Sequence, residues 1–102
     1  RTYPWALARF RAGLSVVFSR LADMPPDAAV DMAAYASIGV RSHVGMPVMV
    51  AGKFVAVLGF ATLGSECAWP DEMVARMRLL ADVFGSAHQN PGEPLLSSFL
   101  VS

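Results

Sequence analysis

The sequence predicts an α+β domain, an antiparallel sheet with helices packed on it, and three observations carry that reading. Two runs rich in β-branched residues, Val40 to Val50 and Lys53 to Leu63, are joined by only Ala51-Gly52, a connection short enough for a tight hairpin. The segments Trp5 to Gly13, Asp27 to Ile38 and Trp69 to His88 instead repeat their apolar residues at helical spacing. The resulting order is helix, strand, helix, hairpin, helix, which differs from the alternation of βαβ units and suits helices laid on an antiparallel sheet.

The first helix puts Trp5, Leu7 or Ala8, and Phe10 inward and Arg9 and Arg11 outward, with Gly13 as a left-handed stop. Ser15 to Ser19 follows as a strand around Val16-Val17-Phe18, and Asp23-Met24-Pro25-Pro26 breaks it. The second helix has Pro25 and Pro26 at its entrance, acids in its first turns, a stripe of Val30, Ala34 and Ile38, and Gly39 at its end. Its many alanines leave little bulk, so it either lies close to the sheet or borders an open space.

In the hairpin, Pro47 cannot donate to a ladder and asks for an edge or a bulge, while Gly59 marks a bulge or a close approach. The last helix has Pro70 just inside its start, Asp71 and Glu72 against its dipole, and Glu72/Arg76 and Arg78/Asp82 spaced as i,i+4 pairs. Met73, Met77, Leu80, Phe84 and Ala87 form its main stripe, and Ala75, Leu79 and Val83 a second one that suits a partner subunit. Asn90 to Pro94 stops the helix, and Leu95 to Ser102 is an apolar tail that has to dock.

Bulk properties bound the function. The 102 residues suit one domain, divided here into residues 1–90 and a tail of residues 91–102. Residues of the AVILMFWYC set make up 55% and charged residues 16%, more apolar surface than a monomer this small hides well, which implies a partner. Eight basic against eight acidic residues leave zero formal charge, which argues against nucleic acid. The acid-free start with Arg1, Arg9, Arg11 and Arg20 suits an anionic ligand or simply a wet helix face. The longest uncharged stretch, Phe54 to Ser65, is too short to span a membrane, and a lone Cys67 and no export signal agree with a cytoplasmic location.

Gly39 to Phe60 and Trp69 to Phe84 resemble the C-terminal part of GAF domains, most closely those of bacterial sensor kinases and transcriptional regulators. Ser42 and Pro47 fall on the family's "Ser, apolar, Pro" strand, and Gly52 and Lys53 on its "Gly, basic" turn. The resemblance spreads over residues 5–89 as many weak positions. It implies a GAF-like antiparallel sheet that lacks the family's first helix and first strands, leaving an apolar edge along the Lys53 to Leu63 strand. The segment Leu95 to Val101 is the candidate to fill that place, in its own chain or swapped into a partner. Three departures stand out: the missing start, Ala56 where the family commonly has glycine, and Pro91 and Pro94 where the terminal helix usually runs on to an output domain.

The resemblance further implies a ligand-sensing, non-catalytic module that dimerises, with a small-molecule pocket between the sheet and the helices. Phe18, Tyr35, His43, Met46 and Trp69 are the residues placed nearest it, each of a type that also builds cores. The expected homodimer buries the strand edge with Phe54, Leu58 and Phe60, the helix face with Leu79 and Val83, or both. No cofactor is specified. The alternatives are a pairing protein without a ligand and, more remotely, a cysteine-based redox enzyme. Methionine sulfoxide reduction in the family relies on more than one cysteine, and bilin attachment on a Cys-His pair, whereas Ala68 follows Cys67. His43, His88 and Cys67 lack close zinc spacing, and neither a Gly-x-Ser-x-Gly elbow nor a phosphate loop occurs.

Overall fold

The computed structural model describes residues 2–87 and, as a strand, residues 97–101. The elements run α1 (Pro4–Arg11), β1 (Val16–Phe18), two single 3₁₀ turns (Leu21–Asp23 and Pro26–Ala28), α2 (Ala29–Ser37), β2 (Ser42–Val50), β3 (Lys53–Thr62), α3 (Asp71–Ala87) and β4 (Ser97–Val101). The strands form one sheet in the order β1-β2-β3-β4, with the first three antiparallel and β4 parallel to β3. The α+β class follows as expected, and each helix and strand lies within three residues of its predicted bounds. The expected end of the last helix at His88, the stop at Asn90 to Pro94, and Leu95 lie outside the described residues.

Glycines end the first two helices in the same way. Gly13 and Gly39 both take positive φ, of 78° and 82°. After α1, the Gly13 amide donates to the Phe10 carbonyl at 2.9 Å and the Leu14 amide to the Arg9 carbonyl at 2.8 Å. After α2, the Gly39 amide donates to Ala36 and the Val40 amide to Tyr35, at 3.1 and 3.0 Å. Both are Schellman caps, whose left-handed residue a side chain would strain. The hairpin turns on Ala51 and Gly52 with φ of 52° and 77°, the two positive angles a two-residue turn needs to match strand twist.

The sheet separates two cores. Ala6 and Phe10 of α1, Ala28 and Tyr35 beside or on α2, and Val16, Phe18 and Ala61 of the strands form one. Val44, Met46, Val48 and Leu58 of the strands form the other with Met77 and Ala81 of α3. The chain is therefore layered, with α1 and α2 on one face and α3 across the other.

The helix faces differ from those the periodicity predicts. On α1, Ala6 rather than Leu7 or Ala8 is buried beside Phe10, and Trp5 is half-buried. On α2, Val30 and Ile38 are exposed, whereas Asp31 and Tyr35 are buried. The cause is polar for Val30, because Asp31 is drawn beneath the N-terminus of α1 and turns its neighbour outward, while Ile38 lies past the last turn as the C-cap.

On α3 the packed residues are Met77, Ala81 and Gly85, so Leu80 and Phe84 of the expected stripe face outward. A Cβ on Gly85 would run into the Met49 carbonyl oxygen of β2, and this close approach sets the rotation of the helix. Glu72 and Arg76 pair at 2.7 Å as spaced. Arg78 instead donates to the Gly13 carbonyl at 3.5 Å, tying α3 to the end of α1. Arg9, expected on the wet face, donates to the Ser15 carbonyl at 2.8 Å and lies over the Trp5 ring.

Within the hairpin the irregularity falls at Val55, not at Gly59. Val48 pairs with Ala56 and Met49 with Phe54, so Val55 is the extra residue of a bulge. Gly59 stays in register opposite Gly45. Pro47 lies beyond the end of β1, whose pairing stops at Val16 with Gly45, and β2 is an edge there as proline requires. On the other side of the hairpin β4 runs along β3 from Leu58/Ser97 to Thr62/Val101, so within one chain that edge is paired.

Candidate functional site

The site begins with a pair of missing side chains. Gly45 and Gly59 face each other across β2 and β3. A Cβ on Gly45 would come within 2.8 Å of His43 Cε1 and 3.0 Å of Phe10 Cζ, and one on Gly59 within 3.4 Å of His43 Nε2. The bare backbone thus leaves room for the imidazole and the Phe10 ring on the sheet. Tyr35 of α2 meets His43 at 5.3 Å between ring centroids and Phe18 of β1 at 5.2 Å, and Phe18 and His43 stack at 5.7 Å. Tyr3 adds a further ring 4.7 Å from Tyr35.

Between these rings and β3 lies a cavity of about 290 Å³. Ala6, Phe10 and Tyr35 of the helices and His43, Val57 and Ala61 of the sheet line it, and the exposed Leu7 and Ile38 stand among its lining residues. The surroundings of α2 are thus an open space, one of the two arrangements expected from its small residues.

Asp31 positions the helical wall. Its carboxylate is fully buried and accepts the Trp5 amide at 3.0 Å and the Ala6 amide at 2.9 Å. These are free donors of the first turn of α1, where the helix dipole also favours an anion, and Tyr3 supplies no side-chain cap. The carboxylate of one helix therefore caps the other and fixes the distance between the two helices that enclose the cavity.

Burial keeps the walls uncharged. Desolvation, followed by the negative charge of Asp31, pushes the Tyr35 hydroxyl well above its ordinary value of 10. Desolvation pushes His43 down to about 4 from 6.5, and its Nδ1 is buried with no hydrogen-bond partner among the described residues. The unfolded chain takes up the His43 proton near its ordinary pKa and the folded chain only near 4, so the unfolded state binds more protons in between. Stability is accordingly full above the ordinary value and lost as pH falls through that window. The wild type is expected to lose about 1 to 2 kcal/mol more than His43→Phe between neutral pH and about pH 5, as read from urea midpoints. Equal losses in both proteins would show that the imidazole is not kept neutral by folding.

The structure brings together Phe18, Tyr35 and His43 of the predicted pocket residues. Met46 packs on the opposite face of the sheet with Met77 and Ala81. Trp69 belongs to that side as well, and its indole N–H donates to the Phe18 carbonyl at 3.1 Å, which pins the loop before α3 to β1. Asp31, Phe10, Gly45 and Gly59 complete the site. A proline-entered helix and an alternating strand do not show which acid turns inward or which glycines pair.

Of the expected interface residues, Phe54 stacks on Phe10 at 5.8 Å and Leu58 is buried. Phe60 is half-buried, whereas Leu79 and Val83 are exposed by 64% and 61%. Ser42 is fully buried in a hydroxyl pair with Thr62, which donates to the Ser65 carbonyl at 2.6 Å, and Ser42 Oγ accepts the Cys67 amide at 3.2 Å. These bonds fasten the loop that carries Cys67, whose half-buried thiol is free. Among the described residues no three His, Cys, Asp or Glu side chains group as metal ligands, and no helix is long and apolar enough to cross a membrane.

The crystal structure of the blue-light-absorbing form of the PixJ GAF domain from Thermosynechococcus elongatus superposes with a TM-score of 0.64 over 81% of this chain. The fold is that of part of a GAF domain. Sequence identity is 14%, and the chain spans 48% of the length of that neighbour. No family model matches the sequence, and no curated protein is significantly similar to it. The GAF-like sheet, with helices on both of its faces, is therefore the frame in which the cavity sits.

Proposed function

We propose that this GAF-like domain is a non-catalytic regulatory module that takes a small molecule into the cavity between α1, α2 and the sheet and pairs with a second copy through α3. The cavity carries the reading. Its walls are aromatic and aliphatic with few polar edges, as in small-molecule sites, and the seat that Gly45 and Gly59 give the His43 and Phe10 rings, with the Asp31-held helices, preforms it.

Pairing rests on a second observation. Leu79, Leu80, Val83 and Phe84 lie on consecutive turns of α3 and are each about half exposed or more, an apolar stripe a lone domain has no use for. Since β4 already pairs with β3, the helix face is the better of the two expected dimer surfaces. Ligand binding that steadies α1 and α2 on the sheet would reach α3 through the Arg78 to Gly13 bond and the sheet itself.

Native mass spectrometry together with light scattering tests both halves. The expected result is a dimer carrying a noncovalent small molecule, which Val83→Glu converts to monomer and Ala61→Phe, filling the cavity, frees of its ligand. A ligand-free dimer would move the conclusion to a pairing protein. A monomeric wild type at micromolar concentration would remove pairing from the proposal.

A further inference from the structure

We infer that the cavity selects an uncharged, planar, two-ring molecule that carries one hydroxyl or similar hydrogen-bonding group for His43. The inference rests on the ligand-binding reading above and adds the chemistry of the ligand to it.

Size comes first. An engineered protein cavity of ~150 Å³ accepts benzene. The volume of about 290 Å³ here is near twice that, enough for two fused rings. Shape follows from the walls, because Phe10, Tyr35 and His43 present ring faces and edges to the space and reward a flat π-system over a branched aliphatic one.

Charge is excluded by composition and by the field. No Lys, Arg, Asp or Glu side chain lines the cavity among the described residues. The buried charge nearest Tyr35, the Asp31 carboxylate, is occupied by the Trp5 and Ala6 amides, and its sign repels an anion. A cation would leave water without a counter-charge in the wall, which costs more than these contacts return.

The polar requirement comes from His43. A neutral imidazole has one acceptor nitrogen and one N–H, and burial without a partner leaves one of them unsatisfied. A half-turn about the Cβ–Cγ bond exchanges the edge that carries Nδ1 for the opposite edge without moving the ring plane. The ring itself borders the cavity and lies over Gly45 and Gly59. A hydroxyl on the ligand, which both donates and accepts, supplies the missing partner in either tautomer.

Three naphthalene probes separate these features at neutral pH: 2-naphthol, naphthalene and 2-naphthoate. Binding is followed by NMR on the imidazole nitrogens of His43 and the ring of Tyr35. The expected result is that 2-naphthol shifts both signals and binds about tenfold more tightly than naphthalene, while 2-naphthoate moves neither. His43→Phe should equalise naphthol and naphthalene, and because the wild-type comparison stands alone, the test survives if that variant does not fold. Equal affinity of naphthol and naphthalene for the wild type would overturn the polar requirement. Tighter binding of 2-naphthoate would overturn the uncharged class and leave the cavity as a ligand site. Silence of both signals with all three probes at millimolar concentration would overturn the site along with the inference.

Discussion

Asp31→Ala is expected to destabilise the domain by about 3 kcal/mol and to lower its melting temperature by more than about 10 °C, the larger of the two strongest effects this structure implies. The carboxylate is fully buried and holds two amides of α1, at Trp5 and Ala6. Hydrogen bonds to a charged group are worth more than neutral ones, and truncation leaves both donors unpaired in the interior. No side chain of α1 can take over, since Tyr3 provides no cap. Asp31→Asn keeps the shape and one acceptor, so about half of the loss should remain. Thermal unfolding of the three proteins checks the order, and a loss below about 1 kcal/mol for alanine would mean that α1 does not depend on this cap. The same substitution releases the wall formed by Ala6 and Phe10, so any ligand the cavity holds should bind more weakly in Asp31→Asn, even where that protein is folded.

Gly85→Ala is expected to cost about 2 kcal/mol, against the sign that helix propensity gives. In an exposed helix interior the exchange of glycine for alanine gains up to ~1 kcal/mol. Here the added methyl would press on the Met49 carbonyl oxygen, with the Met49 carbonyl carbon at 3.4 Å and Val48 Cγ1 at 3.6 Å behind it. The oxygen belongs to the backbone of β2 and cannot turn aside, so α3 has to lift from the sheet, an overpacking penalty of about 1 to 3 kcal/mol. Ser86→Ala on the neighbouring exposed position is the control and should gain a few tenths of a kcal/mol. Urea midpoints for the pair decide the matter: a stabilised Gly85→Ala would show that the helix sits farther from β2 than described.

Local chemistry made much of the architecture legible in the sequence. Gly13 and Gly39 ended helices because a left-handed residue closes a Schellman cap, and Ala51-Gly52 joined two strands because a two-residue turn needs positive φ twice. Pro47 marked an edge because it has no N–H to give. Such signals involve a residue and its near neighbours only, so a sequence contains them whole. Of the residues expected near a pocket, Tyr35 and His43 border the cavity, and Phe18 packs against both without lining it.

The rotation of each helix was decided in three dimensions. Periodicity set Val30, Ala34 and Ile38 inward on α2, and Leu80 and Phe84 inward on α3, because it counts only apolar residues. The native faces are chosen by contacts between distant segments instead: two amides of α1 draw the Asp31 carboxylate of α2 beneath the start of α1, and the Met49 backbone admits α3 only where Gly85 has no side chain. The cavity has the same origin. Gly45 and Gly59 are fourteen positions apart and make room for the His43 and Phe10 rings that line it only once β2 and β3 pair in register, so the amino-acid sequence alone determined the elements and their ends, while tertiary pairing decided which side chains meet and what space they leave.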